Sequence, residues 1–97
     1  MIYNLYGTPF EVKVVKSVYR STERVAIIVK TGNTPGDYLV ATVNLPTVDM
    51  KANEVAIKDY SENEGMVKFL VTNNVVKKPH RLVQSGHVTI PICELLI

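Results

Sequence analysis

Along most of the chain, apolar and polar positions alternate with the period of two that marks half-buried β-strands. Between residues 10 and 19, Phe10, Val12 and Val14 alternate with Glu11 and Lys13, which predicts a first strand with one face in a core. Val25–Lys30 (VAIIVK) is a short β-branched run suited to a central strand. Turn formers fill residues 31–37 (TGNTPGD) and predict an antiparallel hairpin with a loose tip into a strand over 38–45. In that strand Leu39, Ala41, Val43 and Leu45 share one face, and Tyr38, Val40, Thr42 and Asn44 the other. Pro46 has no N–H for a ladder and ends it. Val55 and Ile57 alternate with polar neighbours over 54–58 and predict a further strand.

The pattern then changes period. Met66, Phe69 and Leu70 recur at helical spacing, widened by Val67 and Val71. Ser61 stands three residues before Glu64, the spacing of a capping box. Gly65 costs about 1 kcal/mol of helix propensity against alanine, and Asn73-Asn74 is a suitable stop. A helix of roughly two to three turns is expected. After Lys77-Lys78-Pro79, residues 80–84 predict a short strand, Ser85-Gly86 a turn, and 87–95 the last strand. Val88, Ile90 and Ile92 share one of its faces, and Pro91 on the other marks it as an edge or a bulged strand. The expected fold is α+β: one domain over residues 1–97, with an antiparallel sheet of about five to six strands and one short helix packed on one face.

Composition supports a compact domain, with 46% hydrophobic and 21% charged residues among 97. The net charge of +2, from 11 basic and 9 acidic residues, is far from the clustered basic excess of a dedicated duplex binder. One cysteine, Cys93, rules out an intramolecular disulfide. No run approaches the ~20 apolar residues that span a bilayer, and the first residues lack the basic start and apolar core of a signal peptide. The expected compartment is the cytoplasm, with no membrane partner.

No set of residues points to catalysis. His87 lies six residues before Cys93 on the same predicted strand, about 20 Å away and beyond dyad reach. Only His80 could approach Cys93, which sits in an apolar stretch and reads as a buried thiol. His80, His87 and Cys93 lack the paired spacing of a metal site, so no metal is expected. Asp59, Glu62 and Glu64 gather where the helix dipole favours acids. No phosphate-cradling glycine loop is present, and neither a cofactor nor a small-molecule ligand is expected.

Two surfaces remain. Lys77, Lys78, His80 and Arg81 form the one local basic run. Joined by Lys13, Lys16 and Arg20, and by Tyr19 or Tyr38 for stacking, they form the candidate nucleic-acid or partner contact. Apolar residues also exceed what one helix need cover. Tyr38, Val40, Leu95 and Leu96, with Val15 and Tyr19 nearby in pattern, are the candidate apolar partner surface, and an unpaired edge strand would serve the same end. The leading reading is a non-enzymatic interaction module with a protein partner or a second copy of itself; weak nucleic-acid binding through the basic run is the alternative.

Thr42-Val43-Asn44-Leu45-Pro46, a 59–63 turn into a short helix, Lys78-Pro79, Ser85-Gly86 and Pro91 follow in an order that resembles a family of small proteins of unknown function encoded on bacterial conjugative elements and prophages. The resemblance covers residues 38–95. The family tends to carry aromatic residues after the Ser-Gly and more asparagine before the helix, where this chain has His87-Val88 and Ile57-Lys58. The resemblance brings no catalytic residues. It implies an accessory role inside a bacterium, as an adaptor or inhibitor of a host or element protein.

Overall fold

The computed structural model describes residues 1–32 and 36–97; positions 33–35, in the expected hairpin tip, lie outside the described residues. The first element is a hairpin that the pattern left unread. β1 (Ile2–Leu5) pairs antiparallel with β2 (Thr8–Glu11), Ile2 opposite Glu11 and Leu5 opposite Thr8. Its two-residue turn, Tyr6-Gly7, has φ of 49° and 81°, the left-handed pair that a tight right-twisted hairpin requires. The expected strand over 10–19 is therefore two. It divides at Val12, whose N–H bonds Met1 C=O at 2.7 Å and whose side chain is buried. Phe10, expected in the core, is exposed.

β3 (Lys13–Val18), β4 (Val25–Lys30) and β5 (Tyr38–Val40) form a second antiparallel sheet in that order. β4 and β5 are the two arms of the expected hairpin. A third sheet has the order β6-β8-β7, from β6 (Glu54–Ala56), β7 (Arg81–Ser85) and β8 (Val88–Glu94). The single sheet of five to six strands is thus replaced by three small ones. The division between the second and third falls at Ala41, which donates its N–H to Ile27 C=O on β4 but accepts Lys58 N–H at its own C=O. Beyond it the chain turns to the β6 side, Val43 N–H bonding Ala56 C=O around an isolated Thr42–Ile57 bridge. The four residues expected on one face consequently part company. Leu39 and Ala41 pack in one core, Val43 and Leu45 in another.

β8 is the central strand of its sheet, not an edge. Pro91 is accommodated because its C=O faces the β6 side, accepting Ile57 N–H at 2.9 Å. Its missing donor falls one position past Ala56–Ile92, where the β6–β8 ladder stops.

The helix α1 (Met66–Thr72) follows a 3-10 turn at Ser61–Asn63. The capping box does not form. Gly65 is the N-cap, with φ 88° and no side-chain cap bond, and Ser61 stands well before the first helical residue. The donor that a cap would satisfy is met by Asp59 Oδ1, 3.3 Å from Val67 N. At the other end Asn73 Nδ2 bonds Phe69 C=O at 2.9 Å, and Asn74 takes φ 57°, as the Asn-Asn stop anticipates. Met66, Phe69 and Leu70 bury the expected stripe against Ile27, Val29, Val55, Ile57 and Cys93. Each such side chain contributes about 1.5–3 kcal/mol of transfer free energy. Tyr3 of β1 meets Phe69 edge-on at 5.2 Å, tying the hairpin to the helix. The second core lies on the opposite face of β6–β8, where Leu45, Ala56, Ile90 and Ile92 pack with Val83 and Met50. Among the described residues no helix is long and apolar enough to cross a membrane.

Candidate protein-interaction surface

Among the described residues the longest edge strand is β3. Its six residues pair with β4 on one side. Tyr19 N–H bonds Arg24 C=O at 2.8 Å, towards β4, whereas Val12 N–H bonds Met1 C=O on the other side. Strand alternation between these two points directs the backbone groups of Lys13, Val15 and Ser17 to β4, and those of Val14, Lys16 and Val18 outwards. Met1 covers that edge only as far as Val12. Among the described residues, no backbone group bonds the outward N–H and C=O of the next three alternate positions.

The face continuous with this edge carries two cross-strand rows. Lys13, Lys30 and Tyr38 lie side by side across β3, β4 and β5, and Val15, Ile28 and Val40 form the next row. In the apolar row Val15 is 38% exposed and Ile28 and Val40 are half-buried, so the row is open to solvent chiefly at its β3 end, while Tyr38 in the neighbouring row is exposed. Lys13 and Lys30 are directly opposite, an unfavourable like-charge pair, and among the described residues neither forms an ion pair. At the far end of the face Tyr19 bonds Thr42 Oγ1 at 2.8 Å, and burial pushes its hydroxyl pKa up.

A groove of about 600 Å³ borders β5, lined by Tyr38, Val40, Asn44, Lys58, Tyr60 and Glu62 among others. Within it Lys58 Nζ lies 2.6 Å from Glu62 Oε1 and 5.6 Å from the centre of the Tyr60 ring. That bond raises the lysine pKa and lowers the glutamate's. The surface thus combines an unfilled backbone ladder, an apolar row and an unpaired positive flank.

Of the apolar residues singled out in the sequence, Tyr38 and Val40 belong to this surface. Leu95 and Leu96 do not. Leu95 packs on the helix-side core and bridges to Val76, and Leu96 is exposed with its N–H on Val75 C=O.

The basic run is largely spoken for. Lys77 pairs with Glu94 at 3.3 Å, and His80 Nε2 lies 2.5 Å from Glu54 Oε2. Arg81 Nη2 reaches Glu54 Oε1 at 3.4 Å and Asp49 C=O at 2.7 Å. Lys78 is exposed and, among the described residues, forms no ion pair. Consecutive strand residues normally point to opposite faces. Here His80 N–H bonds Ile92 C=O while Arg81 is registered opposite that same Ile92, a β-bulge that aims both side chains at Glu54. Glu54 is buried, and its carboxyl pKa is lowered chiefly by Lys51 N–H at 2.8 Å, then by His80 and Arg81. Lys13 and Lys16, three apart on one strand, point to opposite faces, so the single positive face expected from them does not assemble.

The remaining candidates are absorbed by packing. Burial pushes the Cys93 thiol up to about 11, Asp59 caps the helix, and Glu62 serves Lys58. Among the described residues no three His, Cys, Asp or Glu side chains cluster as metal ligands. What sequence reasoning missed is the Lys13–Lys30 opposition, which depends on strand register; counting outwards from the 19–24 turn would have found it.

No protein-family model, curated protein or solved structure matches the chain. The surface itself is therefore the ground for a functional reading.

Proposed function

We propose that the chain is a non-enzymatic protein-interaction module that captures an extended segment of a partner along β3. The observation that carries this reading is the six-residue edge, with the backbone groups of Val14, Lys16 and Val18 aimed outwards and no strand beside them among the described residues. Among the other sheet edges, β5 and β6 have three residues each and β1 and β2 four, and the five-residue β7 is a poorer template because it opens on the His80–Arg81 bulge two residues after Pro79. The apolar row Val15–Ile28–Val40 supplies contact area next to the added strand. An adaptor or inhibitor role within a bacterial mobile element rests on the resemblance of residues 38–95 alone.

The test is a displayed library of random octapeptides panned against the wild type and Lys16→Pro, which removes one outward donor and leaves the β4 ladder intact. Circular dichroism confirms that the variant folds. Peptides enriched on the wild type and lost on the variant support the reading. Equal enrichment on both, or none on the wild type, overturns it.

A further inference from the structure

Resting on that reading, we infer that the segment seated on β3 is acidic, with carboxylates placed opposite Lys13 and Lys16. Lys13 stands directly opposite Lys30 on the outer face, with no ion pair for either among the described residues. Lys16 projects from the other face of the same strand, and its Nζ donates to Ile97 C=O at 3.4 Å. An incoming strand extends both faces at once, so each of its residues lies beside one β3 residue. The positions it offers are an acid beside Lys13, apolar residues beside Val14 and Val15, an acid beside Lys16 and an apolar residue beside Val18, which is 59% exposed. Two acids three residues apart, enclosing two apolar residues, is the resulting signature. A second copy of this chain fits poorly. The antiparallel register that pairs all three outward residues centres on Lys16 and sets it against the same lysine of the copy.

The probe is the capped octapeptide Ser-Val-Thr-Asp-Val-Val-Asp-Ser, labelled for anisotropy and compared with a twin carrying lysine at both acidic places. The acidic peptide binds the wild type about tenfold tighter than its twin at low salt, and the difference narrows as salt rises. In K13E/K16E the preference inverts, and in K13Q/K16Q it disappears; both changes are on exposed side chains. Amide NMR read in parallel separates two failures. Equal affinity for the two peptides, with shifts at Val14, Lys16 and Val18, overturns the acidic partner and leaves the docking edge standing. No shift along β3 with either peptide overturns the docking edge as well.

Discussion

Glu54 Oε2 lies 2.5 Å from His80 Nε2, across 26 residues of chain and beside a sheet edge. The contact exists because a bulge turns His80 and Arg81 to the same side, and because Lys51 N–H and Arg81 hold the other carboxylate oxygen. The cluster fastens the 49–51 loop to the start of β7.

Glu54→Gln should destabilise the fold by about 1–3 kcal/mol at neutral pH, the range for charged hydrogen bonds at a buried group. The Glu54 carboxyl is held below its ordinary 4.5. A depressed acid contributes stability that is present above its unfolded value and lost as pH falls through the folded one. Urea unfolding should therefore separate wild type and variant at pH 7, and the gap should close on acidification below about 4.5. A gap unchanged at pH 3 would show that the ionised carboxylate is not what stabilises the cluster.

Gly65→Ala tests a sign. Helix propensity alone favours alanine by about 1 kcal/mol. The residue sits at φ 88° before the first helical position, with no atom within 4 Å of a built Cβ. Backbone strain with no clash then decides the outcome, and the variant should lose about 1 kcal/mol, a Tm lower by roughly 4–8 °C. A gain in Tm would place Gly65 inside the helix.

The helix start gives a paired comparison. Asp59→Ala should cost about 1 kcal/mol by removing the acceptor for Val67 N–H. Ser61→Ala, whose hydroxyl makes no cap bond, should stay within about 0.5 kcal/mol. Chemical denaturation of the two variants side by side checks the order.

The basic run should bind nucleic acid feebly. Lys77, His80 and Arg81 already face Glu94 and Glu54, so a labelled single strand should show a log affinity–log salt slope no steeper than about −1. A slope several times steeper, weakened by K77E/K78E, would restore that alternative.

These outcomes also mark how far the chain could be read from its pattern. Strand positions at 25–30, 54–58 and 87–95 and the Met66–Phe69–Leu70 stripe were legible, because burial on one face leaves a period in the sequence. Partner choice leaves no such period. The run over 10–14 alternates without a break, yet Val12 hands the chain from β1 to β4, and Ala41 likewise passes one apolar row between two cores. Pro91 marks an edge or a bulged strand in the sequence because the rule concerns its missing N–H, and only the register shows that donor falling where the ladder has ended. Of the candidate partner surface, Tyr38 and Val40 were visible as an outward row. Their neighbours Lys13, Lys30 and Ile28 come from other strands and needed the pairing. Leu95 looked surplus until the 75–76 segment was placed against it.

The most direct test of the account needs no ligand: residue-resolved amide hydrogen exchange of the free protein by NMR. With β3 an open edge, Val14, Lys16 and Val18 should exchange within about tenfold of unprotected rates, while Val15 and Ser17, bonded to β4, are slowed by orders of magnitude. Equal protection at all five amides would mean that the edge is already paired, and would contradict the proposal that it waits for a partner strand.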